Sequence, residues 1–292
     1  MNETGDLKLQ QPEEPKLVYN IYTTTSLPFN VATDLDKYSR IFITKEIDYF
    51  RIVHCCENFM RDYKVFGETQ DGDKILLFTC NHHFQCCKCC EECAIGCICC
   101  SYICCDSIIF QMDYKRNGAT FYTQGYNLKK GCYFCELDCC CCPICCPKNI
   151  LYLRENIDPD SPDPDVGVKK GKTKAQNSCC ICTDKTAEYI TEENLKGPTV
   201  RAACCDICIN SCLSHCCWGM GCDFEMSIED ENGLKTGNIL IYAGCYSKKV
   251  EGLNCFFPRA YFEINMPPSA TSEQKFQIIA DTIHLDLTTN AI

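Results

Sequence analysis

Two asparagine-glycine pairs, Asn117-Gly118 and Asn232-Gly233, constrain this chain more than any other feature. Each lies between runs rich in β-branched and aromatic residues: SIIFQMDYKR before ATFYTQGY, and FEMSIEDE before LKTGNILIYAG. Asn-Gly is the strongest short-range hairpin signal because both residues tolerate positive φ. DYKVFGETQDGDKILLFTC reads as a third hairpin around Asp71-Gly72, and AEYITEENLKGPTVRAAC as a fourth pair of strands. The pieces recur in order. The first half reads hairpin (62–80), cysteine-rich loop (86–105), Asn-Gly hairpin (107–126). The second reads hairpin (187–204), cysteine-rich loop (204–222), Asn-Gly hairpin (223–244). Phe110 corresponds to Phe224, and Gly118 to Gly233. Two similar β halves with no helix between them predict one closed barrel, because closure removes the unpaired edges.

The clearest helix comes last, over 270–289 within SATSEQKFQIIADTIHLDLTTNAI. Thr271 and Gln274 have capping-box spacing. Phe276, Ile279, Ile283 and Leu287 share one face, and Ile278 and Leu285 extend the apolar surface to another, which predicts a buried helix. SRIFITKEIDYFRIV (39–53) reads as a strand running into a short helix. Residues 1–38 carry breakers and little periodicity, so they read as an extended arm or a pair of short strands before a barrel domain at 39–292. The proline- and charge-rich stretch 155–174 reads as a surface loop. Its Asp158, Asp160, Asp163 and Asp165 lack the EF-hand pattern and read as solvated.

Composition excludes some functions and sharpens others. A net charge of -11 argues against nucleic-acid binding, which needs Lys and Arg opposite phosphates, and against simple electrostatic attachment to an anionic membrane. The polar N-terminus has no apolar signal-peptide core, so a reducing intracellular compartment is expected. There, the 33 cysteines favour uses other than disulfides. No segment has the roughly 20 mostly apolar residues of a membrane span. No serine-hydrolase elbow, zinc-protease motif or phosphate loop is present, and nothing in the sequence orients His54-Cys55 or His215-Cys216 for nucleophilic catalysis, so no catalytic residue is assigned.

The order of these parts, together with the run DCCCCPICC, resembles the phospholipid scramblase family, whose fold is like that of tubby. That fold is a twelve-stranded β-barrel around a C-terminal helix. The resemblance covers roughly residues 40–290. It is carried by IFITKEIDYF, MRDYKVFGETQDGDKILLF, CCDSIIFQMDYKRNG, CDFEMSIEDENGLKTGNIL and FFPRAYFEINMPPSATSEQKFQIIADTIHLDL. It implies a mainly β protein built from two pseudo-repeats, acting on phospholipid without bond-cleaving chemistry. It also implies acylation at Cys139, Cys140, Cys141, Cys142, Cys145 and Cys146, which match the family's palmitoylated CCCPCC element. Two or more acyl chains anchor stably where one does not. The chain departs from the family twice. Its last helix carries Asp281, His284 and Asp286, and each charge in a bilayer costs about 2.5–3.5 kcal/mol. The stretch matching the family's proposed calcium segment has only Glu263, too few oxygen ligands for that ion.

The cysteines admit a second reading. Cys86-x-x-Cys89, Cys87-x-x-Cys90, Cys132-x-x-Cys135, Cys142-x-x-Cys145 and Cys205-x-x-Cys208 have zinc-knuckle spacing. Barrel closure can bring loops of both halves together. The candidate zinc ligands are Cys86, Cys87, Cys89, Cys90, Cys99, Cys100, Cys104, Cys105, Cys204, Cys205, Cys208, Cys216 and Cys217. At this cysteine density the spacing also arises by chance. Small buried filler suits isolated positions such as Cys245 and Cys255. Two functions follow. One is a lipid-handling protein held peripherally on a membrane surface by acylation. The other is a non-catalytic, zinc-stapled structural subunit of a large ciliary, cytoskeletal or mitochondrial assembly, whose other members contact the N-terminal arm.

Overall fold

In the computed structural model each strand pairs antiparallel with its neighbours in chain order, and the first strand closes onto the last. The described residues are 31–47, 61–86, 107–129, 150–155, 167–176, 184–203, 224–243 and 260–289. The strands are β1 (Arg40–Ile47), β2 (Arg61–Glu68), β3 (Lys74–Cys86), β4 (Ser107–Arg116), β5 (Ala119–Lys129) and β6 (Ile150–Glu155). They continue as β7 (Val168–Gln176), β8 (Lys185–Thr191), β9 (Lys196–Ala202), β10 (Phe224–Glu229), β11 (Lys235–Ala243) and β12 (Ala260–Asn265). A single helical turn, α1 (Val31–Asp34), precedes them, and the helix α2 (Ser272–Thr289) follows. The barrel closes where Ile43 of β1 lies between Val65 of β2 and Phe262 of β12. This is the closed barrel the hairpin repeat predicts, with the twelve strands around one C-terminal helix that the resemblance implies.

Strand alternation fills the interior. Ile41 and Ile43, Tyr63 and Val65, Met226 and Ile228, Ile239 and Ile241, and Phe262 and Ile264 all point inward and are buried. α2 runs through them. Phe276, Ile278, Ile279, Ala280, Ile283 and Leu285 are each at most 1% exposed, as a helix apolar around its girth requires. Its start is the expected capping box: the Thr271 amide donates to Gln274 Oε1 at 3.0 Å, and the Gln274 amide donates to Thr271 Oγ1 at 3.3 Å.

The hairpin turns divide into two kinds. Asn117 and Gly118 both have positive φ, 52° and 83°, as a two-residue turn demands. At Asn232-Gly233 only Gly233 does, at 80°. There the turn is longer: the Asp230 carboxylate accepts the amides of Asn232 and Leu234, both at 2.9 Å. Thr69 and Thr191 play the same part in the β2–β3 and β8–β9 turns, where Gly72 and Asn194 take the left-handed position. A side chain that caps the turn from its first residue selects the longer frame.

Two expectations need correction. Residues 168–174, read as part of a surface loop, belong to β7. The alternation is present but disguised, because the inward positions are Gly171 and Thr173 while lysines face out. Gly171 is needed under Tyr189: a Cβ there would sit 2.5 Å from the Tyr189 hydroxyl oxygen. The end of the arm is also not extended. α1 leads into Leu35 and Tyr38, both buried, and Tyr38 covers Gly67 so closely that a Cβ on Gly67 would lie 2.5 Å from its ring. The short helix expected after β1 falls outside the described residues, as do residues 1–30.

Candidate functional site

Polar groups on α2 meet polar groups of the barrel wall in two places along the axis. Midway, a chain of donors runs in one direction. The Tyr114 hydroxyl donates to Gln124 Oε1, the Gln124 amide to Thr173 Oγ1, and the Thr173 hydroxyl to Asp281 Oδ1, at 2.9, 2.9 and 2.7 Å. Gln277 donates to both Thr173 Oγ1 and Asp281 Oδ1, each at 2.9 Å. All five side chains are fully or almost fully buried. Burial raises Asp281 to about 7 against these hydrogen bonds, which pull the other way. Burial likewise holds His284, one turn further on, neutral at about 3. The Tyr114 and Tyr189 hydroxyls are pushed up, chiefly by burial, and Asp281 adds to both.

Nearer the end of α2, Asp286 Oδ2 takes both the Lys45 ammonium and the Tyr63 hydroxyl at 2.7 Å. Lys45 is 5% exposed and Asp286 1%, so this is an ion pair inside the barrel. Sequence reasoning missed it. Asp286 by itself signals only a helix unsuited to a bilayer, yet Lys45 stands in phase with the inward Ile41 and Ile43 and signals an interior partner.

At the start of α2 the Lys275 ammonium donates to the carbonyls of Leu35, Asp36 and Tyr38 at 3.2, 3.0 and 2.9 Å, and Ser272 donates to Asp36 Oδ1 at 2.6 Å. Burial lowers Lys275, with Asp36 opposing. The segment after α1 is thereby fastened over one end of the barrel. No described helix is long and apolar enough to cross a membrane.

The connections that carry the cysteines attach at the other end. In an antiparallel barrel that follows chain order, connections alternate between the ends. The turns at 69–73, 117–118, 192–195 and 230–234 share the end fastened by α1. The segments 48–60, 87–106, 130–149, 177–183, 204–223 and 244–259 all leave strands at the opposite end. Every cysteine except Cys80 lies in one of these segments or, as Cys86, on the last residue of β3. The acylation candidates Cys139 to Cys146 and the zinc candidates Cys87, Cys89, Cys90, Cys99, Cys100, Cys104, Cys105, Cys204, Cys205, Cys208, Cys216 and Cys217 lie outside the described residues. Cys80 is buried, and its thiol is pushed well up, mainly by burial, with Asp113 adding to it. A thiol held neutral in this way is not a nucleophile.

Glu263, the acidic residue of the proposed calcium stretch, is already engaged: it pairs with Arg40 and accepts from the Tyr242 hydroxyl at 3.4 Å. Among the described residues no three His, Cys, Asp or Glu side chains gather into a metal site. The chain matches no protein-family model and no curated protein.

Proposed function

We propose that this protein is a phospholipid scramblase-like, lipid-handling protein, held at the surface of an intracellular membrane by acyl chains on Cys139–Cys146 and working without bond-cleaving chemistry. The observation that carries this reading is connectivity: the cysteine-bearing connections all attach at one end of a barrel whose other end is fastened by α1 and Lys275. An end bearing many acylatable thiols is the natural membrane face of such a barrel. α2 does not serve as the anchor, because its polar side chains are bonded inside the wall. Net charge -11 also leaves covalent lipid as the better source of attachment than charge. Moving lipid between leaflets breaks no covalent bond, so a disturbed bilayer surface suffices.

The test is transbilayer movement of a fluorescent phospholipid in liposomes carrying protein from its native source. The expected result is accelerated movement that returns to baseline when hydroxylamine removes thioester-linked acyl chains. Movement no faster than in protein-free liposomes, with or without calcium, contradicts the reading. Zinc that co-purifies with such inactive protein points instead to the zinc-stapled structural subunit.

A further inference from the structure

The carboxyl of Asp281 has an asymmetry that its surroundings do not balance. Oδ1 accepts two hydrogen bonds, from Thr173 and Gln277, while Oδ2 is buried with no donor among the described residues. Gln277 Oε1, one turn earlier on the same face of α2, is a second buried acceptor without a donor. Two orphan acceptors in one dry cluster are costly. One proton on Oδ2 relieves this, because it removes the buried charge and turns a surplus acceptor into a donor.

Among the described residues no cation pairs with the carboxyl, whose partners are Thr173 and Gln277. α2 presents Gln277 and the neutral His284; β7 presents Thr173, and β8 Tyr189. β4 and β5 present Tyr114 and Gln124, and β3 the Cys80 thiol with the buried His82 two residues further along the same face. Lys45 of β1 and Tyr63 of β2 are bonded to Asp286. The inward residues of β6 and β9–β12 are apolar, among them Leu151, Leu153, Val200, Met226, Ile239 and Phe262. At the far end Lys275 is held by three carbonyls, and Arg116 lies 3.8 Å from Asp34.

We infer that Asp281 is a pH-responsive latch: as a neutral acid it seats α2 in the barrel, and its ionisation loosens the helix. The direction follows from linkage. The group's folded value, about 7, lies above its ordinary 3.8. The stability it contributes is therefore complete below the ordinary value and is lost as pH rises through about 7. The device acts near neutrality, where a modest change of pH shifts the population of the two forms.

The experiment is urea unfolding of the full chain from about pH 5 to about pH 9, for the natural protein and for Asp281→Asn. Asparagine keeps an acceptor toward Thr173 and supplies the missing donor without a charge. The expected result is a midpoint that falls for the natural protein as pH rises from about 5 to about 7 and levels off above it, and a flat profile across that interval for the variant. Parallel profiles overturn the inference. A measurement that needs no variant is NMR titration of the Asp281 carboxyl carbon in the natural protein. An acid form that persists to about neutral pH supports the latch, and a carboxylate signal already complete at about pH 5 overturns it.

Discussion

Asp286→Ala is expected to destabilise the barrel by about 3–5 kcal/mol, measured as a lower urea midpoint for the full chain. The carboxylate receives both Lys45 and Tyr63 at 2.7 Å, inside a wall where neither charge reaches solvent freely. Removing it leaves an ammonium in the barrel without the anion that offsets its desolvation. The loss is thus the cost of a stranded charge, and it is larger than the net worth of the pair. Removing both charges together strands neither. Lys45→Met with Asp286→Leu should recover most of the lost stability, since two apolar side chains of similar volume need no compensation. A double variant as unstable as Asp286→Ala would show that the ion pair does more than neutralise itself.

The second large effect is expected at Phe276. Its ring is 1% exposed and is surrounded by Tyr114 at 5.0 Å, Tyr122 at 5.1 Å, Phe78 at 5.7 Å and Phe121 at 6.0 Å between centroids. Those four rings come from three consecutive strands, β3, β4 and β5, and they also pack on one another, Phe78 lying 5.6 Å from Phe121 and 6.2 Å from Tyr114. Phe276→Ala opens a cavity that strands tied into a closed ladder cannot collapse to fill. A loss of about 3–5 kcal/mol is expected, with the urea slope unchanged. A loss below about 1 kcal/mol would mean that the wall relaxes around the gap.

These two sites show which parts of the fold the sequence carries openly. The capping box at Thr271 and Gln274 is legible because it is local: both its hydrogen bonds lie within one turn. The left-handed pair Asn117-Gly118 is legible for the same reason. β7 is not, because its inward residues are Gly171 and Thr173, one chosen to fit beneath Tyr189 and the other to bond Asp281. A strand that lines a polar stretch of core loses the apolar alternation by which strands are read. Lys45 is hidden in the opposite way: its alternation is correct, but a lysine in an inward position reads as an error until Asp286 is placed opposite it. The attachment of the cysteine-bearing connections at one end is not a property of any segment. It follows from closure together with strict alternation of strand direction. The hairpins are therefore what make it visible.

The central claim is that the cysteine-bearing end is a membrane face held by covalent lipid. The most direct test is the intact mass of the protein from its native source, recorded under denaturing and then native conditions. The account predicts acyl adducts that survive denaturation and map to Cys139–Cys146. Unmodified cysteines, with metal present in the native spectrum and lost on denaturation, would contradict it.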